Sequence, residues 1–193
     1  MLNQPFPGSD KLIDAIDAAV AQPDTAALTG ALRRSLCHFI SSGEVQLPDC
    51  VSIPCAEHYA RRELYRSEEH GYCVVAMTWA PGQGTPIHDH DGMWCVEGVW
   101  RGALDIEQYD LLEQVGQRYH FAAVGSIQAN AGSAGSLIPP HEYHSIRNPS
   151  RDAISISLHV YAAPMLRCAV FQPMAGSGWY SRDMRVLGLD RMQ

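Results

Sequence analysis

The stretch Gly82-Gln83-Gly84-Thr85-Pro86-Ile87-His88-Asp89-His90, continuing through Asp91-Gly92-Met93-Trp94-Cys95 to Gly102, decides how the rest of the chain is read. Two histidines one residue apart on an extended segment project to the same face of a sheet, because strand side chains alternate with a period of two. Such a pair is a ready-made pair of metal ligands, and a third ligand would have to come from elsewhere in the chain. Downstream, Ile138-Pro139-Pro140-His141-Glu142-Tyr143-His144-Ser145-Ile146-Arg147-Asn148 offers His141 and His144.

Around these segments the texture is that of short strands separated by glycine, proline and acidic turns. Arg62 to Ser67 and Tyr72 to Ala80 read as a hairpin. Further strands are expected at 93 to 100, 103 to 112, 117 to 123, 135 to 138, 143 to 148, 153 to 161 and 166 to 172. The two histidine-bearing segments fall about half a barrel apart in this reading, which favours a mainly β jelly-roll barrel. The segment after Gly176, with Trp179 and Tyr180, gives no clear pattern.

Ahead of the strands, Leu12, Ile13, Ile16, Ala19 and Val20 recur at helical spacing over residues 9 to 21, with Ser9 as N-cap. A second helix starts near Asp24, carries Leu28, Leu32, Leu36, Phe39 and Ile40 on one side, and ends at Gly43. The organisation expected is one domain over 1–193, with a helical segment of about 9–43 and a β-barrel body of about 59–176.

The chain has 193 residues and a net charge of −7, with no Lys or Arg run of the kind that marks a nucleic-acid or membrane surface. Its first residues lack the features of a secretory leader, so a cytoplasmic location is expected, without nucleic-acid or membrane partners. The six cysteines form no CxxC pair and are expected to be free thiols, most of them buried packing residues.

The first histidine stretch resembles a cupin motif: a glycine, His-x-His, a position usually Glu, and a second glycine, filled here by Gly82, His88, His90, Cys95 and Gly102. The second resembles the other cupin motif through Pro139, His144 and Asn148, with His141 standing where a glycine is usual and Ser133 where an earlier one is expected. This resemblance implies a cupin double-stranded β-helix with short N-terminal α-helices, and His88, His90 and His144 as metal ligands. Cys95 stands at the glutamate position, so the donors are three neutral imidazoles. They leave more positive charge on a divalent ion than a set containing a carboxylate. Fe(2+) is the expected cofactor; nickel, manganese and zinc are alternatives the same donors accept.

On one strand, Ser157-Leu158-His159-Val160-Tyr161 sends a hydroxyl, an imidazole and a phenol to one face. These form a candidate relay in which Ser157 orients His159 and His159 holds Tyr161. A plainer reading is polar alternation on a half-exposed strand.

With these residues in place, roughly 59 to 176 resembles the cysteine dioxygenase family of thiol dioxygenases. Its marks are the cysteine in the first cupin motif and the Ser-x-His-x-Tyr segment. The resemblance implies an iron(II) enzyme of cysteine catabolism that adds both atoms of O2 to a small-molecule thiol, giving a sulfinate. It also implies a catalytic group of Tyr161, His159, Ser157 and Cys95, in a monomer by family habit. Mammalian members join the cysteine and the tyrosine in a thioether, so a Cys95–Tyr161 bond is implied, although many bacterial relatives carry glycine there.

Cysteine dioxygenases place a carboxylate-binding arginine in a Tyr-x-Arg context, matched by Tyr59-Ala60-Arg61. Relatives acting on 3-mercaptopropionate use another arginine beyond the tyrosine, in the region of Arg167. Cys168 matches a cysteine near the mammalian pocket entrance. L-cysteine is the expected substrate and 3-mercaptopropionate the alternative; Arg62 is expected to be a solvated surface residue. A non-catalytic metal-binding cupin sensor would need a partner-binding module, and no basic helix-turn-helix is visible. Cupin enzymes acting on carbon substrates normally keep the glutamate that Cys95 replaces.

Overall fold

The computed structural model describes residues 4–192, so the first three residues of the segment read for a leader lie outside it, as does residue 193. Two helices, α1 (Ser9–Val20) and α2 (Thr25–Ser42), precede eleven strands. The strands are β1 (Ala60–Arg66), β2 (Cys73–Trp79), β3 (Ile87–His88), β4 (Cys95–Arg101), β5 (Ala103–Val115), β6 (Arg118–Asn130), β7 (Ala134–Leu137), β8 (His144–Arg147), β9 (Ser155–Tyr161), β10 (Arg167–Pro173) and β11 (Tyr180–Val186). The fold is mainly β, and no helix among the described residues is long and apolar enough to cross a membrane.

The helices form where apolar spacing and caps agree. In α2 the Asp24 carboxylate accepts the Ala27 N–H at 2.8 Å, and Gly43 closes the far end with φ 70°. In α1 the N-cap is Gly8 rather than Ser9, which is the first helical residue and buried. Leu32 and Leu36 of α2 are fully buried against Val96 of β4 and Leu158 and Val160 of β9. Each contributes about 1.5–3 kcal/mol of burial. The close approach explains Gly98: a β-carbon there would lie 3.0 Å from Ile40 Cδ1 and 3.4 Å from Leu36 Cβ.

One sheet runs β1-β2-β9-β4-β7, and the other six strands close a ring in the order β10-β11-β6-β5-β8-β3. Every residue of β2 and β9 is buried, because α2 and its neighbours cover one face of that sheet and the barrel interior takes the other. This corrects the half-exposed reading of β9: Ser157, His159 and Tyr161 point into the barrel core.

Three other expectations change. The histidine-bearing segments are adjacent rather than half a barrel apart, since β3 pairs directly with β8 and His88 faces His144. Strand β6 runs to Asn130, held by its long ladder with β5 rather than by burial. The stretch after Gly176 forms β11, which pairs with β10 along its whole length.

Candidate metal centre

Pairing of β3 with β8 builds the centre. The approach depends on Gly84, where a β-carbon would lie 2.5 Å from the Ile146 carbonyl oxygen and would force the His88 segment away from the His144 strand. His88 and His144 ring centroids lie 4.4 Å apart, His90 and His144 5.0 Å, and His88 and His90 5.4 Å. One ligand nitrogen from each lies within 4.8 Å of the others. His141, the other candidate, is exposed beside Asp110.

The rings are oriented by their surroundings. His88 Nδ1–H donates to the Pro86 carbonyl at 3.2 Å and His144 Nδ1–H to the Glu142 carbonyl at 3.2 Å, which leaves each Nε2 as the free donor atom. His144 Nε2 is buried without a hydrogen-bond partner, a cost that a bound cation relieves. Burial, followed by the charge of His90, lowers the pKa of His88 to about 3; burial, with His88 and His90 next, holds His144 well below its usual range. These two imidazoles therefore keep their lone pairs at neutral pH, and a divalent cation with nitrogen preference fits the donor set.

Glu142 is a residue that the sequence reading misses. It is buried, accepts the backbone N–H of His90 at 2.8 Å, and brings the same oxygen to 3.4 Å from His90 Nδ1. Its position two residues before His144 is the only signal the sequence carries.

His88, His90 and His144 share the wall of a cavity of about 20 Å³ with Arg61, His159, Tyr161 and Cys168. A wider vestibule of about 680 Å³ is lined by His58, Tyr59, Arg61, Arg185, Leu187 and Asp190. Arg61 lies on both walls and is only 4% exposed. Its guanidinium donates to the Gly188 carbonyl at 3.1 Å and the Met165 carbonyl at 3.2 Å, its Nε is buried without a partner, and it forms no ion pair among the described residues.

Arg167 is not brought to this cavity; it is exposed on the outside, with Nε 2.9 Å from Asp91 Oδ2. Arg62 is buried rather than solvated: the Ile53 loop and the Arg191 segment fold over it, and it donates to Ile53 O, Arg191 O and Thr78 Oγ1.

The Ser157, His159 and Tyr161 side chains meet as their alternation implies, with one difference in connectivity. Ser157 Oγ lies 2.8 Å from His159 Nε2, but the His159 and Tyr161 rings stack, with centroids 5.8 Å apart and planes at 13°. Burial drives His159 well below and Tyr161 well above their usual pKa ranges, so imidazole and phenol are both neutral. Cys95 and Tyr161 are register partners on β4 and β9, and all six cysteines are free. Cys168 is buried in the cavity wall, and burial pushes its thiol up to about 11.

A family model described as cysteine dioxygenase type I matches residues 55–173. Among solved structures, a conserved double-stranded β-helix protein from Klebsiella pneumoniae is 18% identical, with a TM-score of 0.47 over 65% of this chain and 88% of its own. A protein from Thermus thermophilus is 18% identical, with a TM-score of 0.45 over 59% of this chain and 91% of its own. An oxalate oxidase solved with the substrate analogue glycolate is also 18% identical, with a TM-score of 0.44 over 61% of this chain and 56% of its own. With its family model spanning both histidine segments and the Ser157–Tyr161 strand, the chain belongs to the cysteine dioxygenase type I family.

Proposed function

We propose that this chain is a thiol dioxygenase that uses iron(II) to convert L-cysteine and O2 to cysteine sulfinate. The observation that carries the reading is Arg61, a buried guanidinium without an ion pair among the described residues, on the wall shared with the three histidines. A buried cation held only by carbonyls is costly, and an incoming carboxylate supplies the missing anion through charge-assisted hydrogen bonds. Iron(II) held by His88, His90 and His144 would supply a binding position for the thiol sulfur and for dioxygen.

The other groups act around that ion. Arg61 holds the substrate carboxylate and so turns the thiol toward the histidines. Tyr161, kept protonated by burial, is a hydrogen-bond donor beside His90, whose ring centroid is 6.0 Å from its own. Cys168, kept as a thiol, does not compete with the substrate thiolate. The reaction balances as one thiol plus one O2 giving one sulfinic acid, with both oxygen atoms on sulfur.

The test is a panel of L-cysteine, 3-mercaptopropionate, cysteamine and homocysteine with iron-loaded protein. L-cysteine as the preferred substrate supports the reading. Preference for 3-mercaptopropionate replaces the substrate, and no turnover of any thiol overturns the activity.

A further inference from the structure

Glu97 is a buried carboxylate on β4, an interior strand between β9 and β7, facing the barrel interior between Cys95 and Val99. An apolar residue there would carry no charge-desolvation penalty, whereas a buried carboxylate without hydrogen bonds does. Its register partner is His159. Glu97 Oε2 lies 3.3 Å from His159 Nδ1 as an ion-pair contact and has no other partner among the described residues, while Cys95 Sγ makes a longer hydrogen-bond contact of 3.9 Å with the same nitrogen.

The tautomer of His159 follows from the hydrogen-bond chain behind it. Trp79 Nε1–H, which can only donate, donates to Ser157 Oγ at 2.9 Å. Ser157 has one further partner among the described residues, His159 Nε2 at 2.8 Å; accepting from that nitrogen as well would strand the hydroxyl proton, so the arrangement that satisfies every proton sends it to Nε2. Nε2 is then the acceptor, and the ring proton sits on Nδ1, turned toward Glu97. Glu97 and Ser157 together border a second cavity of about 70 Å³, otherwise walled mainly by apolar side chains such as Leu104 and Ile106, so the pair also forms part of the partition behind the relay.

We propose that Glu97 is a positioning residue of the site: its carboxylate accepts the Nδ1 proton of His159, completing a Trp79–Ser157–His159–Glu97 chain that fixes the imidazole beside Tyr161. The two ring nitrogens are thereby committed to Ser157 and Glu97, which accounts for the stacked rather than hydrogen-bonded contact between His159 and Tyr161. Any effect of Glu97 on turnover rests on the proposed thiol-oxidising function; the tautomer does not.

The test uses zinc-loaded, oxygen-free protein labelled with 15N-histidine at about pH 8.5, where Glu97, raised to about 7 by burial, is ionised. The expected result is an Nδ1–H tautomer for His159 with a downfield ring proton. That proton moves upfield in Glu97→Gln, where the acceptor is neutral, and is lost to exchange in Glu97→Leu. In iron-loaded protein both variants lower kcat about 10–100-fold with KM within about twofold, as loss of an orienting partner does. An Nε2–H tautomer in the wild type, or a ring-proton signal unmoved in both variants, overturns the proposal. If the signal behaves as expected but no thiol is oxidised, the Glu97–His159 contact stands and the proposed function falls.

Discussion

His88 and His144 face each other as cross-strand partners, the one register pair joining β3 to β8. Their apposition turns two separate sequence segments into one donor set, with each Nδ1 held by a carbonyl and each Nε2 free. Removing either nitrogen leaves two ligands, too few to hold a divalent ion firmly. His144→Ala is expected to reduce bound iron from about one equivalent to a small fraction at matched iron concentration, with far-UV circular dichroism unchanged. Metal analysis after desalting checks this.

Gly84→Val tests the same apposition through the backbone. The added side chain meets the Ile146 carbonyl and must push β3 from β8. Iron affinity is expected to fall although no ligand has been touched, and the loss should appear in a metal titration before it appears in the thermal midpoint.

Arg61 and Arg167 separate two sources of carboxylate recognition. Loss of charge-assisted hydrogen bonds worth about 1.5–3 kcal/mol corresponds to roughly 10–100-fold. Arg61→Ala is therefore expected to raise KM for L-cysteine by that factor and to leave cysteamine, which has no carboxylate, nearly unchanged. Arg167, paired with Asp91 on the surface, should alter neither by more than about twofold.

Cys95 and Tyr161, paired in register and buried, are expected to become joined by a thioether under iron and O2. The bond removes one hydrogen from the thiol and one from the ring, with O2 as oxidant. Peptide mapping should find the two peptides linked and lighter by two hydrogens than their sum, and Cys95→Ala should abolish the species.

Stability of the metal-free protein should fall as the pH drops below about 6.5. Burial keeps His88, His144 and His159 neutral in the folded state, while the unfolded chain protonates them, so the unfolded state binds more protons. Each such group removes about 1.4 kcal/mol per pH unit until its folded pKa is reached. Glu97 acts in the opposite sense: burial pushes its carboxyl up to about 7, so the folded state keeps a proton that the unfolded state releases above 4.5. Urea unfolding between pH 7 and pH 5 should show the loss, and Glu97→Gln should steepen it.

The helices, most of the strands and the candidate metal histidines are legible because apolar periodicity and His-x-His alternation are local signals. Adjacency of His88 and His144 is not, since strand pairing across the ring is a non-local choice. The β11 strand escapes notice because it is largely exposed and carries Arg182, Asp183 and Arg185 in place of an apolar alternation. Just beyond β11, the Gly188 carbonyl accepts from the Arg61 guanidinium and Asp190 accepts the Arg61 backbone N–H, so an unpatterned stretch helps to hold Arg61 in place. Glu97 and Glu142 are missed because carboxylates ordinarily read as solvent-facing. Glu97 shares the strand phase of Cys95, which is the available clue.

The most direct measurement is the reaction of iron-loaded protein with L-cysteine under 18O2, with oxygen uptake and product mass followed together. The proposed function predicts one O2 consumed for each sulfinate and both sulfinate oxygens labelled. Absence of oxygen uptake, or a product carrying fewer than two labelled oxygens, would contradict it.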